Sequence, residues 1–262
     1  MRGILRQGDK ESRGQSGIIV HFPHTFALFF ALFAIIIVGC GESPFEEEDS
    51  VPVEMPGALS ALDFPTADGS LWEYVSVDED HTYTVQINGI RNLGGSVVRI
   101  QESDSETPVT QLGALYGLPI RNSLFIKDLD AYTEHAFEFW LANVDDTVFH
   151  RNLPKRVLWS FPLYVGKEWE SIFSEWLFGP EIIYTRKVVS DKNIITVPAG
   201  IFDGVYYVEE QAPVDDLLPD SEEIPPNKYW IAPGVGIIKY EFLDPFFNVT
   251  VAYELRTFEK GG

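Results

Sequence analysis

Three stretches of this chain alternate apolar and polar residues with a period of two, which restricts the fold more than any other feature. Val249, Val251, Tyr253 and Leu255 alternate with Asn248, Thr250, Ala252, Glu254 and Arg256. Tyr83, Val85 and Ile87 alternate with Thr82, Thr84, Gln86 and Asn88, and Ile238, Tyr240 and Phe242 with Ile237, Lys239 and Glu241. A strand sends successive side chains to opposite faces, so each run buries one face and wets the other. Between such runs lie Asn88-Gly89, Gly94-Gly95, Asp203-Gly204 and Asp68-Gly69, whose chemistry suits tight turns. Convincing helical spacing is missing, and a short turn is expected only around Ala131 to His135. The fold class expected is all-β and antiparallel with little helix, built as a curved sheet, an open barrel or a sandwich. Charges on the wet faces, at Lys239, Glu241, Glu254 and Arg256, suit a water-exposed sheet rather than a membrane barrel.

The first forty residues do not belong to that pattern. Arg2, Arg6, Lys10 and Arg13 make the start basic, and every residue from Phe26 to Val38 is apolar, the layout of an export signal. The run ends in Ile37-Val38-Gly39-Cys40, which resembles the lipobox of bacterial lipoproteins. That resemblance implies signal-peptidase recognition through Ile37, Val38 and Gly39, with Cys40 as the lipidated mature N-terminus, carrying a diacylglyceryl thioether and usually an N-acyl chain. An uncleaved anchor stands as the alternative, since Thr25 to Gly41 is an uncharged stretch of 17 residues, near the lower limit for spanning. A later, non-ATG start is also open, because no Met lies between Met1 and Met55.

Cys40 is the single cysteine, so the remainder contains no intramolecular disulfide and must rely on its core. After Cys40 there are 15 basic and 38 acidic residues, a formal charge of −23. Such a field repels polyanions, which excludes nucleic acid as a partner, and it repels anionic membrane surfaces. Membrane attachment then rests on the lipid at Cys40, for which two acyl chains suffice.

The organisation expected is a lipoprotein signal peptide over 1–39, an acidic tether over 40–57 and a β-rich domain over 58–262. The tether, GESPFEEEDSVPVEMP after the cysteine, is rich in Glu and Pro and poor in apolar residues. By resemblance to enterobacterial sorting, Gly41 in place of Asp favours the outer over the inner membrane. Phe64-Pro65 with Gly69 and Trp72 echoes Phe161-Pro162 with Gly166 and Trp169, 97 residues on. That echo is compatible with two pseudo-repeated halves, 58–155 and 156–262, and equally with shared turn chemistry.

Phe161 to Trp169, Val197-Pro198-Ala199-Gly200-Ile201-Phe202, and Tyr229-Trp230-Ile231-Ala232-Pro233-Gly234-Val235-Gly236-Ile237-Ile238-Lys239 form a third signature. In order and spacing (FPLxVGxxW, VPAGxF, YWxAPGVGxxK) these segments resemble uncharacterised secreted and lipoprotein domains of bacteria. The resemblance covers roughly the last hundred residues and, faintly, Phe64 to Trp72. It implies a β-rich extracytoplasmic domain and no reaction.

Catalytic constellations are wanting. No G-x-S-x-G elbow occurs, and His81, His135 and His150 have no metal-binding spacing. No cofactor and no metal is expected. Asp128, Asp130 and Glu134, Asp78-Glu79-Asp80, and Asp215-Asp216 with Asp220 are oxygen-rich but lack the spacing of a calcium loop. Trp169, Trp176 and Trp230 are candidates for an aromatic ligand platform, although core packing is the commoner use of such residues. The acidic, Pro-rich segment from Gln211 to Asn227 is the longest insertion and suits either a binding loop or a connector.

The reading favoured is a lipid-anchored, non-enzymatic envelope domain that binds or scaffolds a protein or glycan partner. The alternatives are a carboxylate-based polysaccharide hydrolase and a carrier of an apolar or lipid ligand. An aromatic-lined cavity would favour the carrier, a solid core the scaffold, and opposed acids with a raised pKa the hydrolase.

Overall fold

The computed structural model describes residues 57–78, 81–104, 120–141, 146–173, 182–211, 225–244 and 249–262. The export signal, the lipobox and most of the acidic tether lie outside them. Twelve strands account for most of the described chain: β1 (Leu71–Ser76), β2 (Thr82–Leu93), β3 (Ser96–Ser103), β4 (Ile120–Lys127), β5 (Ala131–Leu141), β6 (Asp146–Ser160), β7 (Glu168–Phe173), β8 (Ile182–Val197), β9 (Gly200–Gln211), β10 (Asn227–Ala232), β11 (Gly236–Asp244) and β12 (Val249–Glu259). One turn of 3-10 helix, Ala61–Asp63, is the only helical element among the described residues.

All strands belong to one antiparallel sheet of order β6-β5-β4-β3-β2-β1-β12-β11-β10-β9-β8-β7. Chain neighbours are therefore sheet neighbours except at β6 and β7, and β1 pairs with β12, which joins the two ends of the domain. The sheet curls until its edge strands β6 and β7 run side by side without a backbone ladder, so the barrel is nearly closed, with one seam. Of the architectures compatible with the sequence, this is the barrel and not the sandwich. Six strands lie on each side of the seam, with Trp72 the second residue of β1 and Trp169 the second of β7.

The alternating runs fold as their pattern requires. Tyr83 and Ile87, Ile238, Tyr240 and Phe242, and Tyr253 and Leu255 are buried, and the polar residues between them are more exposed. Ala131 to His135 is not a helical turn but the start of β5, paired with β4 on one side and β6 on the other. Two ladders of hydrogen bonds override the modest helix preference of so short a segment. On the outer face, Lys239 meets Glu254 at 3.1 Å, Lys187 meets Glu168 at 2.6 Å, and Arg256 meets Glu73 at 3.3 Å. Charges there are incompatible with a lipid-facing band.

The segment leading into β1 closes one end of the barrel. Leu59 exchanges two backbone hydrogen bonds with Leu163, and the Gly234 amide donates to the Asp63 carbonyl at 2.7 Å. The Lys127 ammonium donates to the carbonyls of Ala61 and Phe64 at 3.0 and 2.9 Å. These bonds seat the buried Phe64 ring against Tyr132, Trp159 and Phe161, with centroids 5.8 to 6.0 Å away. A Cβ on Gly236 would come within 3.8 Å of the Phe64 ring and Pro65, and its φ of +92° suits glycine.

Two hairpins are held to strands other than their ladder partners. Arg91 on β2 ion-pairs with Glu138 on β5, and Gly94 at the β2–β3 tip lies against the Arg151 guanidinium on β6. Beneath that hairpin, Val98, Leu124 and Ala136 make a small second core. The tip of the β8–β9 hairpin is held by a 2.9 Å hydrogen bond from the Ala199 amide to the Leu255 carbonyl on β12.

A candidate binding cavity between an ionic and an aromatic wall

Curling the sheet brings the inward side chains together without filling the interior. A cavity of about 220 Å³ remains, stopped at the closed end by Phe64 and Pro65 and reaching the half-buried Ser103, Ile120 and Arg121 toward the other. Its two walls differ in chemistry.

One wall flanks the seam and is ionic. Glu134 enters on β5, Arg156 on β6, Arg186 on β8, Glu210 on β9 and Asn227 at the start of β10. Arg186 and Glu210 are each 3% exposed and form a direct ion pair. The other oxygen of Glu210 accepts from Asn227 Nδ2 at 2.9 Å and from the Tyr229 hydroxyl at 3.1 Å. Arg156 stands between the two carboxylates, 3.9 Å from an oxygen of each. Glu134 also accepts from Ser123 Oγ at 2.6 Å and from Asn152 Nδ2 at 3.1 Å. The Arg186 guanidinium lies over the Trp159 and Tyr229 rings, 4.7 and 5.2 Å from their centroids.

These arginines also bridge the seam. Arg156 Nε on β6 donates to Ser171 Oγ on β7 at 3.1 Å, and Arg186 on β8 donates to the Leu158 carbonyl on β6. Side-chain hydrogen bonds thus cross where the backbone ladder is missing.

Burial alone would raise the Glu210 carboxyl, but the charges of Arg186 and Arg156 and the hydrogen bonds from Asn227 and Arg186 outweigh it. Its pKa is held below the ordinary carboxylate range. Arg156 shows the mirror effect: burial opposes its charge, and Glu134 and Glu210 more than restore it.

The facing wall is aromatic. Trp72 and Tyr74 come from β1, Tyr83 from β2 and Tyr240 and Phe242 from β11. Tyr74 stacks on Tyr83 with centroids 5.2 Å apart. The Tyr83 and Tyr240 hydroxyls hydrogen-bond to each other, and Tyr74 donates to the Ile237 carbonyl at 2.9 Å. Burial pushes the phenols of Tyr74, Tyr83 and Tyr240 well above their ordinary value, so they stay neutral donors and acceptors.

The tryptophans singled out as a platform fall elsewhere. Trp169 is half-buried against the core, edge-on to Trp159, with its indole N–H buried and unpartnered. Trp230 stacks on Tyr207 and lies under the Lys239 ammonium. Neither lines the cavity. Trp176 lies outside the described residues, as do Ile37, Val38, Gly39, Cys40 and residues 212–224 of the insertion. Of the oxygen-rich loops, Glu79, Asp80, Asp215, Asp216 and Asp220 also lie outside, and Glu134 turns into the barrel, away from a loop site with Asp128 and Asp130. No group of three or more His, Cys, Asp or Glu able to hold a metal occurs among the described residues. His150 packs on Phe137 with centroids 4.9 Å apart, His81 lies 3.4 Å from the Tyr253 hydroxyl, and His135 is buried.

Apart from Glu134, the ionic wall was not singled out in the sequence, yet part of it left a trace. Arg186 shares the buried phase of its strand with Tyr184 and Val188, and Glu210 that of Tyr206 and Val208. A charge on the apolar phase of a strand signals a buried pair, since an unpaired charge could not stay there.

No protein-family model matches the chain, and no relative is found among curated proteins. Two solved structures are similar to it. One is a protein designated a lipoprotein from Parabacteroides distasonis, at 14% identity and a TM-score of 0.37, covering 77% of this chain and 99% of that one. Another is a protein designated as exported, with a YmcC-like fold, from Bacteroides fragilis, at 13% identity and a TM-score of 0.38, covering 78% of this chain and 100% of that one.

Proposed function

We propose that this protein is an extracytoplasmic lipoprotein of the bacterial envelope, held by lipid on Cys40, whose barrel binds a small molecule in its interior without transforming it. The observation that carries the reading is the cavity of about 220 Å³ between the aromatic wall and the buried ionic wall. Sites for drug-sized ligands occupy about 300–1,000 Å³, so the occupant is smaller than that, which favours a compact ligand over a two-chain lipid. The lipobox supports the anchor, and Gly41 after Cys40 supports the outer membrane.

Of the three acids lining the cavity, Glu241 pairs with Lys228 and Lys239, which leaves Glu134 and Glu210 as the carboxylates a hydrolase would have to use. Arg156 stands between them, and Glu210 is held ionised, the reverse of what an acid catalyst needs. That arrangement supports binding over bond-breaking.

Toluene tests the cavity. Calorimetry should detect saturable binding to the wild type and none to Val85→Phe, which puts a ring where a cavity-lining Val stands, provided the variant keeps its β-sheet circular dichroism. Equal binding by both proteins, or by neither, contradicts the reading. Labelling cells with radioactive palmitate tests the anchor: Cys40→Ala should lose the label, and unchanged incorporation would defeat it.

A further inference from the structure

The end of the barrel stopped by Phe64 and Pro65 exposes apolar side chains where turns ordinarily carry polar ones. Strand β1 starts at this end, so in an antiparallel sheet the connections from β4 to β5 and from β6 to β7 return to it. Leu129, the middle residue of the turn between β4 and β5, is 69% exposed, and Leu62 in the helical turn Ala61–Asp63 is 79% exposed. Tyr164 and Val165, between β6 and β7, are exposed as well. The three segments are tied to one another. Lys127 at the end of β4 donates to the Ala61 and Phe64 carbonyls, the Phe161 amide donates to the Asp130 carbonyl at 2.6 Å, and Leu59 pairs with Leu163.

Charge at this end is of one kind. Lys127 spends its ammonium on those carbonyls, and Lys167 donates to the Pro162 carbonyl at 3.0 Å and lies over the Tyr164 ring. Asp128 and Asp130 flank Leu129 in the turn. The result is an apolar surface with acids at its margin, which suits an apolar medium without a negative surface charge.

The chain enters the barrel at the same end. The Gly57 carbonyl accepts from the Tyr206 hydroxyl, two residues before Leu59. Cys40 is 17 residues before Gly57 in the sequence, a length of chain that reaches at most about 60 Å. Lipid on Cys40 therefore pulls on the barrel through its closed end. A surface tethered this closely meets the bilayer at an effective concentration of about millimolar, so contacts too weak to recruit a free protein are populated.

We infer that the closed end is a membrane-docking surface, with Leu62, Leu129, Tyr164 and Val165 seated at the headgroup–acyl boundary of a zwitterionic bilayer. This rests on the anchor at Cys40 proposed above. Docking in this sense directs the far end of the cavity, at Ser103, Ile120 and Arg121, away from the membrane.

The intact lipidated protein in phosphatidylcholine vesicles tests it. With the Cys40 sulfur occupied by lipid, a nitrobenzoxadiazole fluorophore reacts only with an introduced cysteine, at Leu129→Cys, Val165→Cys or Val77→Cys. Val77 follows the other end of β1 and is 59% exposed, so it serves as the matched reference. When part of the lipid carries a nitroxide near the top of its acyl chain, the labels at 129 and 165 should lose about half of their fluorescence, because docked side chains lie within about 10 Å of that depth. The label at 77 should keep its fluorescence. Equal loss at all three positions, or no loss at 129 and 165, overturns the docking surface. A blue shift at 129 without loss to the nitroxide means that a second copy of the chain covers this end, which also overturns it. Flotation of the vesicles separates the two readings: protein that floats without quenching keeps its anchor and loses only the docking, whereas protein that does not float has no anchor, and both fall.

Discussion

Beside the seam, Arg156, Arg186, Glu134 and Glu210 bury ions; on the opposite wall, Tyr74, Tyr83 and Tyr240 bury hydroxyls that remain neutral. The difference follows from what the backbone does in each place. Strands β2, β1, β12 and β11 are joined by backbone ladders, with one register shift between Glu73 and Tyr74, so the side chains of the aromatic wall have only to fill space and satisfy their own hydroxyls. Between β6 and β7 no ladder exists, and Arg156 and Arg186 reach across in its place. Charge is concentrated where the sheet is incomplete, and a cationic side chain supplies there the multiple donors that an unpaired edge needs. A consequence is that the two walls should fail by different routes.

The largest effect is expected from removing one member of the ionic wall. Arg186→Ala leaves the buried Glu210 without its direct ion pair, with only Arg156 at 3.9 Å to balance it, and should lower stability by about 3 kcal/mol in urea titration. Combining Arg186→Met with Glu210→Leu should recover most of that loss, because no lone charge is then left behind. A double variant no more stable than Arg186→Ala would mean that the seam needs the charges themselves. Hydrogen exchange should report the single variant first in β6 and β7 and last in β1 and β12.

Opposite pH dependences come next. The Glu210 pKa is depressed in the folded state, so its contribution is present above the ordinary carboxylate range and disappears as pH falls through the folded value. Burial also lowers His135 and His150, which adds a loss that begins as pH drops below about 6.5. Tyr74, Tyr83 and Tyr240 are raised in the folded state; their contribution is complete below about pH 10, the value for an unfolded chain, and lost as pH rises beyond it. Thermal melts across pH should therefore show a plateau with an acid limb set by the ionic wall and histidines and an alkaline limb set by the tyrosines. Replacing Tyr83 and Tyr240 by Phe should move the alkaline limb upward and leave the acid limb unchanged.

The smallest effect sharpens the contrast from the aromatic side. Tyr240→Phe removes one hydroxyl from the Tyr83 pair and keeps the ring, so the loss should be about 1 kcal/mol, well under that of Arg186→Ala. A loss as large as that of Arg186→Ala would place the stability of the interior in the hydroxyl pair rather than in the ions.

Some of this was legible in the chain itself. The period-two runs around Tyr83, Tyr240 and Tyr253 announce strands, because which face is buried follows from alternation alone. Closure into a barrel does not, since it depends on β1 meeting β12 across the length of the domain. Arg186 and Glu210 sit on the apolar phase of their strands and could have been found there. Arg156 could not: the β5–β6 register shifts between Tyr132 and Thr133 and again between Glu134 and Ala136, so counting by twos along β6 loses the inward face. Trp169 and Trp230 drew attention as aromatic residues, but residue type says nothing about which face of a curled sheet a ring occupies. The cavity is lined instead by Trp72 and by tyrosines that alternation alone would assign to a core.

Binding in the interior requires that space be kept open between the two walls. Crystals of the domain pressurised with xenon test it most directly, because xenon enters apolar voids of this size. A xenon site is expected inside the barrel, against the Tyr83 and Trp72 rings. Xenon density confined to the outer surface, with Phe64, Trp159 and Tyr240 closed upon one another in the interior, would contradict it.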